Sequence, residues 1–180
     1  MLPDTVRSLG KAGYVDWLAQ AAASALWALG QQGVAPDRFA FFGSSQGGGT
    51  ALLLASIMRE RGVRAAAADV TFLTNFPLAL ATVEPGAYGL MFEPLGQMGD
   101  RAGEAWRALG FVDTTSHAHR LTMPVLLTAG GDDHVCPANT IQSLFEKLPG
   151  TRSYTELRGQ GHAYTQPFLH LARAWFRLYV

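Results

Sequence analysis

Ser44 and Ser45 stand in a knot of small residues, Gly43-Ser44-Ser45-Gln46-Gly47-Gly48-Gly49, between two apolar runs. A serine hydroxyl is a weak nucleophile until a neighbouring base takes its proton. Centred on Ser45, the string reads G-x-S-x-G. The run before it suits a strand and the run after it suits a helix, which is the context this pattern requires. A nucleophile on so sharp a turn sits in a strained backbone conformation. Glycine at 43 and at 47 is expected to remove collisions with the backbone around it. Ser44 fails the same test, because Phe42 stands two residues before it. The start of the helix offers free N–H groups, and the Gln46 N–H is placed to receive an oxyanion. No lysine follows the glycines, as a phosphate-binding loop would need.

A base and an acid to orient it should follow in the order serine, acid, histidine. The apolar run PVLLTA is followed by Gly130-Gly131-Asp132-Asp133-His134-Val135-Cys136-Pro137. Acids just past the carboxyl end of a strand lie where chemistry collects in parallel sheets. Asp132 and Asp133 compete, and the pattern G-x-x-D-x-x-x-P favours Asp133. Further on, Gly159-Gln160-Gly161-His162 puts a histidine on a glycine-flanked loop before the last helix. His162 is the expected base. His117, His119 and His170 read as surface or packing residues, and His134 as a rim residue. Cys136 is expected to be a small buried apolar side chain. No carboxylate–histidine spacing supports a metal site, and no cofactor is expected.

The elements that must position these groups alternate. Gly13–Gln32 reads as a helix, Arg38–Phe42 as a strand, Gln46–Arg59 as a helix and Arg64–Val70 as a strand of small residues. Pro124–Ala129 reads as a strand, Ala138–Leu148 as a helix, Arg152–Leu157 as a strand and Tyr164–Tyr179 as an amphipathic helix. This order implies a mostly parallel sheet with helices on both faces, in one domain over residues 1–180. The stretch Pro85–Arg120 reads as a cap-like insertion with short helices over Asp100–Leu109 and Thr114–Arg120.

Composition narrows the function. The 14 Lys and Arg balance 14 Asp and Glu, so charge gives no case for nucleic acid or an anionic membrane. A single cysteine excludes a disulfide framework within the chain. Trp17–Leu29 is apolar, but Gln20 and Ser24 interrupt it and it is too short to span a bilayer.

GSSQGGG, AADVTFLTNF, MPVLLTAGGDDHVCPANT and GQGHAYTQPF, in that order, resemble the acetyl xylan esterase/cephalosporin C deacetylase family of α/β-hydrolases. The resemblance runs roughly from Gly33 to the end. It implies removal of acetyl groups from small acetylated substrates, with Ser45 as nucleophile, Asp133 as acid, His162 as base and Gln46 as an oxyanion donor. Thr71 and Phe72 stand where the family has Pro and Tyr, which makes Phe72 a candidate substrate-binding residue in an altered acyl pocket. The resemblance also implies a homo-oligomer in the cytoplasm. The family's N-terminal portion, with the first strands and a tyrosine loop giving the second oxyanion N–H, has no counterpart here. Two readings follow: a deacetylase acting through an acyl-enzyme, or a truncated, non-catalytic module that assembles through a bare sheet edge. An acyltransferase or an amide hydrolase would use the same groups.

Overall fold

In the computed structural model, residues 13–82 and 88–180 are described. The chain runs α1 (Tyr14–Leu29), β1 (Phe39–Ser44), α2 (Gln46–Ile57), β2 (Val63–Asp69), α3 (Phe76–Thr82), α4 (Gly89–Gly96) and α5 (Ala102–Gly110). It continues with β3 (Val125–Gly130), α6 (Ala138–Lys147), β4 (Arg152–Leu157) and α7 (Gln166–Tyr179). Short 3-10 turns occur at Arg59–Arg61, Gly99–Arg101 and Thr114–Arg120.

The strands form one parallel sheet in the order β1-β2-β3-β4. Side chains alternate along a strand, so each strand serves two cores. Ala66 and Ala68 of β2 and Leu127 of β3 join Leu52 of α2 and Ile141 of α6 on one face. Ala67 and Leu126 meet Phe168 and Ala172 of α7 on the other. The alanines of β2 let both helical layers approach closely. Helix α2 is buried on several sides, with Leu52 toward the sheet and Leu53 toward a second cluster built from α1 and α3–α5. Complete burial of one such leucine contributes about 1.5–3 kcal/mol.

The alternation read from the sequence is present, with ends displaced by a few residues. Strand β1 reaches Ser44 rather than stopping at Phe42. The insertion holds more helix than expected. Helix α4 precedes α5 within it, α3 lies just before it, and the three pack on Tyr14 and Leu18 of α1. Residues 85–87 of the expected insertion lie outside the described residues. His117 is not a simple surface residue: Nδ1 lies 3.2 Å from the buried Ser56 hydroxyl, and Nε2 lies 3.0 Å from the Phe111 carbonyl. Among the described residues, no helix is long and apolar enough to cross a membrane.

Register sets up the site. Ser44 pairs with Asp69, Asp69 with Thr128 and Thr128 with Thr155. The carboxyl ends of the four strands therefore lie side by side, and the loops leaving them meet.

Candidate active site

Ser45 is the single residue between β1 and α2, and its φ of 55° and ψ of −121° are strained for a side-chain-bearing residue. Three backbone bonds hold it there. Its N–H donates to the Asp69 carbonyl at 2.9 Å. Its carbonyl accepts from Gly49 and Phe72 N–H, each at 3.1 Å.

The glycines around it divide unexpectedly. A Cβ on Gly43 would lie 2.2 Å from the Gly47 carbonyl oxygen, so Gly43 is required. A Cβ on Gly47 would meet nothing within 4 Å, which corrects the expectation that both positions relieve collisions. The contact is one-sided, because it is the Gly47 backbone that crowds Gly43. Gly49 is as severe, with a Cβ 2.3 Å from the Phe72 carbonyl oxygen, and Gly48 is tight at 3.0 Å from the Asp69 carbonyl oxygen.

The Ser45 hydroxyl lies 2.8 Å from His162 Nε2, and His162 Nδ1 lies 2.9 Å from Asp133 Oδ2. A carboxylate only accepts, so Nδ1 carries the proton and Nε2 is free to take the one on Ser45. Asp133 Oδ1 accepts from the N–H groups of Val135 and Cys136, both at 2.8 Å. Its side chain is fully buried, while that of His162 is 27% exposed. Asp132 is exposed and turned to other work, its N–H donating to the Gln160 carbonyl at 2.9 Å. Of the two competing aspartates, Asp133 is the one at the imidazole. The acid and base loops are in backbone contact, since a Cβ on Gly130 would lie 2.6 Å from the Gln160 carbonyl oxygen.

Asp133 raises the affinity of His162 for a proton, chiefly by accepting from Nδ1; partial burial opposes this, and the charges of Asp133 and Asp69 add to it. Gln46, as the first residue of α2, has no intrahelical acceptor for its N–H. Phe72 is partly buried with its ring centre 4.6 Å from that of Tyr88. His134 is exposed beside Asp133, and Cys136 is buried.

Asp133, Cys136 and His162 bring ligand-type atoms within 4.8 Å of one another. Both carboxylate oxygens and Nδ1 are already committed to the hydrogen bonds above. Burial pushes the Cys136 thiol far above its usual range, so it does not supply a thiolate.

Asp69 is the residue that sequence reasoning passed over. It ends β2 with no exposure at all, between the strands that carry Ser45 and Asp133. The signal was present as one carboxylate closing the run AAAAD. Ser44, set aside as a nucleophile, pairs with Asp69 in strand register.

The acetyl xylan esterase (AXE1) family profile matches residues 14–178. The structure is similar to the acetyl xylan esterase from Paenibacillus sp. R4, at 20% identity and a TM-score of 0.85, over 93% of this chain and 53% of that one. It is similar to acetyl xylan esterase 1 from Thermoanaerobacterium sp. JW/SL YS485, at 25% identity and a TM-score of 0.78, over 91% of this chain and 52% of that one. Est1E from Butyrivibrio proteoclasticus matches at 20% identity and a TM-score of 0.65, over 90% of this chain and 67% of that one. The chain spans about half the length of the first two. These likenesses establish the α/β-hydrolase fold.

Proposed function

The chain belongs to the acetyl xylan esterase family, and from that premise we propose that it is a serine esterase that deacetylates small substrates through an acyl-enzyme. Acetylated xylo-oligosaccharides and cephalosporin C-like esters are the proposed substrate class. The observation that carries this reading is the unbroken hydrogen-bond chain from Ser45 through His162 to the buried Asp133.

The proposed steps follow from that chain. Ser45 Oγ attacks the acetyl carbonyl carbon as its proton passes to His162 Nε2. The carbonyl oxygen becomes an oxyanion, which the Gln46 N–H receives at the positive end of α2. Asp133 holds the imidazole in the needed tautomer and offsets its charge. Collapse expels the alkoxide, which takes the proton from Nε2. Water then attacks the acetyl-Ser45 ester, with Nε2 again as base, and acetate leaves. Phe72, bonded through its N–H to the Ser45 carbonyl, is the proposed wall of the acyl pocket.

Hydrolysis of p-nitrophenyl acetate and acetylated xylo-oligosaccharides tests the reading. Ser45→Ala should lose at least about 10³-fold in kcat/KM. Equal rates from wild type and Ser45→Ala would remove it. They would favour the second reading, a non-catalytic module assembling through its sheet edge, which the position of β1 at the end of the sheet recommends.

A further inference from the structure

Asp69 is a carboxyl that the hydrogen-bond chain does not use. It lies in register between Ser44 on β1 and Thr128 on β3. The Thr128 hydroxyl donates to Oδ1 at 2.5 Å. Oδ2 is buried with no hydrogen-bond partner among the described residues. The Asp69 carbonyl meanwhile accepts the Ser45 N–H at 2.9 Å. One residue thus grips the backbone of the nucleophile and sets a carboxyl beneath the same turn.

A buried carboxylate oxygen with no donor is costly unless a positive charge faces it. The neighbouring strands present Ser44 and Thr128, which do not titrate. Ser45 joins the two: its N–H donates to the Asp69 carbonyl at 2.9 Å and its hydroxyl lies 2.8 Å from His162 Nε2, so the imidazole stands over the turn that Asp69 holds, and the Asp69 charge favours its protonated form. Asp133 is bonded to the imidazole directly, so Asp69 is the second carboxyl serving one cation.

Building on the esterase reading, we propose that Asp69 is a positioning residue: it fixes Ser45 through its carbonyl, and its carboxylate stabilises, through space, the positive charge His162 acquires on taking the Ser45 proton. The proton step is unchanged. The Ser45 O–H bond breaks as the Oγ–C bond forms, and Nε2 gains the proton. What Asp69 adds is a negative potential at the imidazolium from a carboxyl that is itself fully buried. Burial pushes the Asp69 carboxyl up, against the pull of the Thr128 hydroxyl that donates to it. Because the folded value is raised, the carboxylate costs stability once it ionises, so Asp69→Asn should hold or raise the melting temperature at neutral pH.

The test titrates the His162 imidazole by NMR in wild type, Asp69→Asn and Thr128→Val, beside the pH profile of acetyl ester hydrolysis. In Asp69→Asn the imidazole should titrate at lower pH and the acid limb of the rate profile should move with it. The kcat/KM should fall about tenfold with KM little changed. Thr128→Val, nearly isosteric, removes the donor that favours the Asp69 carboxylate and should move the imidazole the same way by less. It carries the test if Asp69→Asn does not fold. An imidazole titration unchanged in the folded variants overturns the proposal, whatever happens to stability. The NMR readout does not depend on turnover. An inactive wild type whose imidazole still responds to Asp69→Asn would sink the esterase reading alone.

Discussion

At the scale of residues, the site depends on which ring nitrogen holds the proton. Asp133 favours protonated His162 by accepting from Nδ1, so the imidazole titrates above its ordinary value of 6.5. The base works only when neutral, and kcat/KM should therefore rise with pH through that elevated value. Asp133→Asn can offer an N–H to Nδ1 and so select the wrong tautomer. It should cost about 10⁴-fold in kcat and pull the acid limb down, which a pH–rate series on both proteins would measure. Stability carries the same sign. A raised imidazole contributes most below pH 6.5, and that contribution fades as pH climbs through the folded value. Replacing His162 by Gln should accordingly lower the melting temperature more at acid pH than at alkaline pH. An equal loss on both sides would mean that the ion pair with Asp133 contributes nothing to the fold.

At the scale of elements, the elbow between β1 and α2 makes a sharper demand than its motif suggests. Gly43→Ala and Gly49→Ala drive a methyl into backbone at 2.2 and 2.3 Å. Neither obstacle is a flexible side chain, so each should cost about 3 kcal/mol or more in chemical denaturation. Gly47→Ala faces open space within a helix and should be neutral or stabilising by up to about 1 kcal/mol. A Gly47→Ala protein as unstable as Gly43→Ala would refute this division. The contrast also marks what a sequence can carry. Ser45, Asp133 and His162 were legible because each sits at a strand-to-loop junction with glycine or proline punctuation close by. Asp69 was not, because its part depends on register with Ser44 and Thr128, residues brought beside it only by strand pairing. Helices α3 and α4 were hidden by prolines that look like breakers. Pro77 falls in the first turn of α3, where a missing N–H costs nothing, and Pro94 lies within α4, held by packing of its neighbours Phe92 and Leu95. His117 looked like a surface residue because its partners, Ser56 and Phe111, are set by tertiary packing.

At the scale of the whole molecule, β1 carries the nucleophile at its end and, among the described residues, lies at the edge of the sheet. Phe42 is 43% exposed there, stacked on Phe168 at 5.1 Å. Arg38 donates to the Val180 carbonyl, which ties the end of α7 to the start of this strand. Beside them opens a groove of about 690 Å³ lined by Arg38, Phe42, Arg173 and Phe176. An apolar edge strand is a template for pairing with another chain. We therefore expect copies of this chain to associate through β1, so that light scattering across a dilution series gives masses well above 19.3 kDa. Phe42→Lys puts a charge on that edge and should return the protein to monomer mass without altering its circular dichroism. A wild type that stays at 19.3 kDa at every concentration would refute edge pairing. The two variants then separate assembly from chemistry. Ser45→Ala should abolish hydrolysis and leave mass unchanged, whereas Phe42→Lys should change mass. If Phe42→Lys also lowers kcat without moving the His162 titration, the covered edge is what holds the strained Ser45 turn in place, and the assembled form is the working one.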